Sequence, residues 1–304
     1  MTRSNTQPHP PVRTATLADR TVARVGFGAM QLAERGQLSA PSRDTALTVL
    51  RQAVELGINH VDTAEFYGDG VANELILSAL HPYPDNLVLV SKVGAEHDRE
   101  KGLVAAQRPK QLRAAVEANL RSLGVEQVAV VNLRRADAPP GIIASGDQHV
   151  DLDSQLAEMV ALRDEGKIGG IGLSNVSVDQ LRKALPVGIA CVQNPYNLLD
   201  RSGEPLLDVC REHDVAWVPF FPLGSAFPGM PKVTAHPAVI ATATALDLTP
   251  AQVGLAWLLA HDSHILLIPG TASPTHLLEN VAAGNVHLDA ETMSALDASA
   301  LPPH

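Results

Sequence analysis

The sequence predicts a single (β/α)8 barrel with an N-terminal β-hairpin cap, and three observations carry the prediction. From residue 25 onward, short apolar or β-branched runs alternate with longer segments of helical period, the pattern of successive βα units feeding a parallel sheet. Eight such pairs follow one another without a composition break that would read as a domain linker. No G-x-G-x-x-G follows the first strand, so an open, doubly wound sheet fits less well than a closed barrel.

Taken in order, residues 1–12, which include Pro8, Pro10 and Pro11, form a flexible N-terminus, and residues 13–304 form the barrel. Segments 14–17 and 21–24 flank Ala18-Asp19-Arg20 as a hairpin closing the barrel's N-terminal end. The strands are expected at 25–29, 60–63, 87–93, 128–133, 168–174, 190–193, 216–221 and 265–269. Between them, Leu47, Leu50 and Val54, and again Val116, Leu120 and Leu123, recur at three- and four-residue spacing. Each helix thus has one apolar face to lay against the strands. Ser177 with Gln180 and Thr249 with Gln252 fit the capping box, and Pro250 suits the first helical position, where no N–H is needed. The Pro- and Gly-bearing stretches 137–146 and 224–234 fall after strands four and seven. In a barrel such loops stand over the C-terminal face, where active sites are assembled.

Composition narrows the partners. With 45% hydrophobic and 18% charged residues over 304 positions, the chain is globular and can bury a large core. A formal charge of −10 leaves no broad positive field for nucleic acid or an anionic membrane surface, so both are excluded as partners. Apolar runs such as Ile265-Leu266-Leu267-Ile268 are far too short to cross a bilayer, and residues 1–11 lack a signal-peptide apolar stretch. A cytoplasmic location is expected, with Cys191 and Cys210 as reduced thiols. The twelve histidines show no H-x-x-x-H or H-E-x-x-H spacing, so no metal is expected. Nothing in the composition sets an oligomeric state.

Three ionisable residues fall at strand C-terminal ends: Asp62 and Tyr67 after strand two, and Lys92 at the end of strand three. Singly, they read as a turn cap, a loop aromatic and a solvated strand end. A barrel brings them together. A nearby ammonium lowers the pKa of a phenol from roughly 10, and a carboxylate keeps that ammonium charged and oriented. Tyr67 can then protonate a developing alkoxide.

The segment from Gly57 to Gly68, reading Gly-Ile-Asn-His-Val-Asp-Thr-Ala-Glu-Phe-Tyr-Gly, resembles the aldo-keto reductase signature around its aspartate and tyrosine. Val90-Ser91-Lys92-Val93-Gly94 is similar to the family's lysine strand, and Ile171-Gly172-Leu173-Ser174-Asn175 to its nicotinamide-amide loop. Val192-Gln193-Asn194, and Ile268-Pro269-Gly270-Thr271 through Glu279-Asn280, extend the resemblance in order to residue 280. The resemblance implies an NAD(P)H-dependent reductase of small aldehydes or ketones in which the barrel holds the cofactor without a Rossmann motif. Tyr67, Lys92, Asp62 and Arg134 are the implied catalytic set. Ser174, Asn175 and Gln193 would bind the carboxamide, and Phe220 would stack on the nicotinamide. Leu223, Gly224, Gly270, Thr271, His276, Glu279 and Asn280 would complete the cofactor site, and Met30, Phe66 and Arg134 the substrate pocket.

One departure stands out. The family usually places a histidine after strand four, where this chain reads Leu133-Arg134-Arg135-Ala136-Asp137. Arg134 cannot relay a proton, but it is a permanent cation and a forked donor. It can depress the Tyr67 pKa and bind the carbonyl oxygen or an anionic group of the substrate. Arg135 reads as a surface residue. The Asn132-Leu133-Arg134 variant, together with residues 26–32 and 219–224, resembles a bacterial branch that includes pyridoxal reductases, implying reduction of pyridoxal to pyridoxine. NADPH is favoured over NADH by resemblance, although Gly270 and His276 stand where relatives place Lys or Arg. Two other readings compete: a cofactor-binding regulatory subunit, which leaves Asp62, Tyr67 and Lys92 unexplained, and a metal-dependent hydrolase, which lacks its ligands.

Overall fold

The computed structural model describes residues 13–33, 39–98, 100–224 and 231–300. The flexible segment expected at 1–12, and residues 225–230 of the loop expected after strand seven, lie outside the described residues.

In chain order the strands are β1 (Thr14–Leu17), β2 (Arg20–Ala23), β3 (Phe27–Gly28), β4 (His60–Asp62), β5 (Val88–Val93), β6 (Ala95–Asp98), β7 (Gly102–Ala105), β8 (Val128–Arg134), β9 (Ile168–Ser174), β10 (Ile189–Gln193) and β11 (Ala216–Trp217). β1 and β2 pair antiparallel, with Ala18 at φ 55° in the turn. Seven strands form one parallel sheet in the order β3-β4-β5-β8-β9-β10-β11. Both of its edges bond to the same segment. Trp217 bridges Ile265 and Val25 bridges Leu267, with Gly26 N–H donating to the Leu267 carbonyl at 2.7 Å and Leu266 N–H to the Trp217 carbonyl at 2.8 Å. The sheet is therefore curled.

Two expected strands are shorter than the sequence implied, for backbone reasons. The run 216–221 stays regular only through Trp217, because Pro219 has no N–H to donate and Phe221 adopts φ 59°. Ala29 leaves the first strand for a 3-10 turn, Ala29–Leu32. Residues 265–269 make bridges without forming a regular strand. An antiparallel ribbon, β6 with β7, was not foreseen and stands beyond the end of β5.

Successive strand residues point to opposite faces, and the two faces fill different cores. Val61, Leu89, Val131, Leu133, Ile171, Leu173, Val192 and Trp217 face the helices. Val88, Val90, Val130, Cys191, Ala216, Val218 and Leu266 fill the concave side, together with Leu17 and Val22 of the hairpin. On β9 the concave side is left to glycine: a Cβ on Gly172 would lie 2.1 Å from Asn132 Oδ1. His60 also lies buried there, and among the described residues neither ring nitrogen has a hydrogen-bond partner.

The helices are α1 (Arg43–Glu55), α2 (Val71–Leu80), α3 (Pro109–Leu123), α4 (Leu152–Asp164), α5 (Val178–Ala184), α6 (Glu204–Glu212), α7 (Pro237–Leu246), α8 (Pro250–His261), α9 (Pro274–Ala282) and α10 (Ala290–Asp297). The capping boxes of α5 and α8 are both formed, and Pro250 opens α8. Leu50 of α1 and Val116 and Leu123 of α3 are buried, as their spacing predicts. Tyr196 lies between the buried indoles of Trp217 and Trp257, at ring separations of 5.9 and 6.2 Å. Among the described residues no single helix is long and apolar enough to cross a membrane.

Candidate active site

The site is built where β4, β5, β8, β9 and β10 end. Asp62 closes β4 and Lys92 lies one residue before the end of β5; both are buried, and the Lys92 ammonium forms an ion pair with Asp62 Oδ1. Lys92 also donates to the Thr63 carbonyl at 3.1 Å. The second Asp62 oxygen accepts from Gln193 Nε2 of β10 at 2.7 Å. Tyr67 sits in the turn after β4, with Lys92 Nζ 5.1 Å from its ring centre.

Burial opposes the charge on Lys92, yet Asp62 and Tyr67 together hold its pKa above the ordinary value. For Tyr67 the outcome corrects the sequence expectation. Burial pushes the phenol pKa up, and the lowering pulls of Lys92 and, more weakly, Arg134 do not overcome it. The phenol is thus held firmly protonated at neutral pH, as a proton donor must be.

These groups open onto a cavity of about 480 Å³, within the range of small-molecule sites. Asp62, Tyr67, Lys92 and Arg134 line it, as do Met30 and Phe66. Ser174, Gln193, Phe220, Leu223, Gly224, Gly270, Thr271, His276, Glu279 and Asn280 extend the lining to the N-terminal end of α9. Asn175 is the one residue of the expected set that does not line it. It is buried at φ 57°, and its Nδ2 donates to the carbonyls of Ala138 at 2.7 Å and Arg135 at 3.3 Å, tying down the loop after β8.

Arg134 enters the cavity from the end of β8. Its guanidinium donates to the Pro140 carbonyl at 2.9 Å and the Arg135 carbonyl at 3.3 Å. Gly141 leaves it room, since a Cβ there would lie 2.8 Å from Nη2. Among the described residues no carboxylate pairs with it, and although burial lowers its pKa, arginine remains charged at neutral pH.

Arg135 corrects another expectation. It is buried rather than on the surface, holding both Asp137 oxygens at 2.8 Å, the Val150 carbonyl at 3.0 Å and Gln155 Oε1. The sequence signal was the acid two residues on, which closes a tight local pair. Pro140 and Gly141, within the stretch 137–146 expected over this face, also line the cavity, as does Leu103, which was not foreseen. Leu103 belongs to the unforeseen β6–β7 ribbon.

Two features fit an extended nucleotide cofactor. Among the described residues Gln193 Oε1, buried at the cavity wall, has no hydrogen-bond partner and is free to accept from an amide. At the far end, α9 presents its N-terminus with Ser273 as cap, and Gly270 and Thr271 beside it, an arrangement suited to phosphate. His276 lies exposed on the first turn of α9.

The Aldo/keto reductase family pattern matches residues 24–300. Pyridoxine 4-dehydrogenase of Escherichia coli K12 is 41% identical over 290 residues, 93% of this chain and 97% of that protein. An uncharacterised oxidoreductase of Schizosaccharomyces pombe is 34% identical over 93% of this chain and 89% of its own. Among solved structures, an aldo-keto reductase from Klebsiella pneumoniae in complex with NADPH superposes with a TM-score of 0.78 at 28% identity, covering 95% of each chain. A pattern that spans nearly the whole chain, laid over strand ends that converge on one cavity, makes this protein an oxidoreductase belonging to the aldo/keto reductase family.

Proposed function

We propose that the protein reduces aldehydes or ketones to alcohols with NADPH, NADH serving less well. The observation that carries this is the Asp62–Lys92–Tyr67 cluster, a half-buried phenol beside a buried, charge-compensated ion pair on the wall of a cavity of about 480 Å³. A bound reduced nicotinamide supplies the hydride. Tyr67 gives its phenolic proton to the substrate oxygen as that oxygen becomes an alkoxide, and the ammonium of Lys92 stabilises the phenolate left behind. Asp62 keeps Lys92 charged and aimed. Gln193 and Ser174 would hold the cofactor's carboxamide, and Asn175 supports the adjoining loop. Phe220, Leu223 and Gly224 would hold the nicotinamide, and Gly270, Thr271, His276, Glu279 and Asn280, which line the same cavity, would hold the adenosine end. A role as a binding subunit alone gives no reason for this donor cluster.

The architecture we infer is one closed (β/α)8 barrel over residues 13–304, with residues 265–268 as the eighth strand and the β1–β2 hairpin across its N-terminal end. Support comes from the bridges on both edges of the sheet and from Leu17 and Val22 in the concave core.

For the substrate we infer a pyridoxal-like aldehyde, reduced to pyridoxine. Met30, Phe66, Leu103 and Pro140 suit an aromatic ring, and the charge of Arg134, which no carboxylate among the described residues pairs, suits an ionised hydroxyl beside the carbonyl. The name of the Escherichia coli relative points the same way. The test is NADPH and NADH oxidation against an aldehyde panel that includes pyridoxal and benzaldehyde. Turnover of benzaldehyde without pyridoxal would remove the substrate assignment and leave the reductase reading; turnover of neither would remove both.

A further inference from the structure

The side chains of Asp62 and Lys92 point into the cavity, so their neighbours Thr63 and Ser91 face the helices, where the rest of that layer is largely apolar. Both hydroxyls nevertheless end in one polar network. Thr63 Oγ1 donates to Asn73 Oδ1 of α2 at 2.8 Å, and Ser91 Oγ donates to Asn119 Oδ1 of α3. Asn73 Nδ2 lies 3.0 Å from Asn119 Oδ1, 3.0 Å from Ser122 Oγ and 2.6 Å from Glu65 Oε2. Ser122 donates to the same Glu65 oxygen at 2.6 Å. Thr63, Asn73, Ser91 and Asn119 are wholly buried, and Glu65 stands two residues before Tyr67.

A buried network of this kind adds little stability over apolar packing of the same shape. What it adds is direction and distance, because hydrogen bonds tolerate less displacement than apolar contacts. Three backbone segments meet at the Asn73 amide: the β4 end through Thr63, the β5 strand through Asn119 and Ser91, and the Tyr67 turn through Glu65. Thr63 is engaged twice, since its carbonyl also receives Lys92.

We infer that Asn73 is a positioning residue, which from outside the cavity sets the spacing of the Asp62, Lys92 and Tyr67 backbone segments. The inference rests on reading Tyr67 as the proton donor. Its test compares Thr63→Val, Thr63→Ser, Asn73→Leu and Tyr67→Phe for kcat and KM with an aldehyde, for NADPH Kd and for Tm. Thr63→Val keeps shape and deletes the hydroxyl, and it should lower kcat about tenfold or more at unchanged NADPH Kd, while Thr63→Ser stays within about twofold of the parent. Asn73→Leu should lower kcat at least as far; if it fails to fold, Thr63→Val carries the test. Wild-type kcat in Thr63→Val, or equal losses in Thr63→Val and Thr63→Ser, would overturn the inference, the second because lost packing would then be the cause. Near-native turnover in Tyr67→Phe would instead overturn the donor assignment itself.

Discussion

Removing one oxygen from Tyr67 separates binding from chemistry. Tyr67→Phe should lower kcat by at least about a hundredfold while leaving NADPH Kd unchanged, the scale expected for a positioned general acid; cofactor titration beside steady-state rates checks both halves. The raised phenol pKa adds a sign to the pH profile. In the proposed mechanism Tyr67 acts as the acid while protonated, so kcat/KM should hold level through neutral pH and fall only at alkaline pH. Arg134→Met removes a cation that lowers this pKa, so the alkaline limb should move to higher pH as the rate itself drops. Arg134→His tests recognition instead. If the guanidinium meets an anionic oxygen on pyridoxal, the ratio of kcat/KM for pyridoxal over benzaldehyde should fall about ten- to a hundredfold, since a charge-assisted hydrogen bond contributes roughly 1.5–3 kcal/mol. A parallel response of the two aldehydes in both variants would deny Arg134 any part in selection.

Between the strands, the loop after β8 is the element on which Arg134 depends. Arg135 anchors it through Asp137, Val150 and Gln155, and Asn175 fastens its carbonyls from the other side. Arg135→Met should destabilise the protein by about 2–3 kcal/mol, less than breaking a fully buried pair, because Asp137 keeps roughly a third of its side chain in water. Urea midpoints measure that loss, and a rise in aldehyde KM at unchanged cofactor Kd would show that the loosened loop still carries Arg134. This loop also marks the boundary of what the sequence could tell. Residues at the ends of β4 and β5 were legible because strand period and the aldo-keto reductase motif agree on where Asp62 and Lys92 point. Arg135 was not, because burying it depends on Gln155 and Val150, whose approach is tertiary. The β6–β7 ribbon was equally hidden: Ala95-Glu96-His97-Asp98 has no apolar alternation, so nothing local marks it as a strand or brings Leu103 to the cavity.

For the molecule as a whole, stability toward acid is tied to His60 in the concave core. Burial drives its pKa down to about 4 from 6.5. An unfolded chain protonates this ring below pH 6.5 and the folded one resists until about 4, so stability is whole above the first value and is lost as pH falls toward the second. The shift corresponds to about 3 kcal/mol. Comparing unfolding free energies at pH 7 and pH 4 in the parent and in His60→Gln should show the parent losing more by about that amount; equal losses would place the acid sensitivity elsewhere.

The two indoles flanking Tyr196 have a practical consequence. Both lie in the outer layer, neither lines the cavity, and the chain contains no other tryptophan. Fluorescence excited at the indole band therefore watches one sector of the helical shell, whereas turnover, in the proposed mechanism, watches the strand ends. Followed side by side through a denaturant titration, the two signals form an internal check on cooperativity. Coincident midpoints would mean that shell and cavity come apart in one event. A cavity that fails first would mean that inactivation precedes unfolding, and that the machinery at the strand ends is the softer part of the molecule.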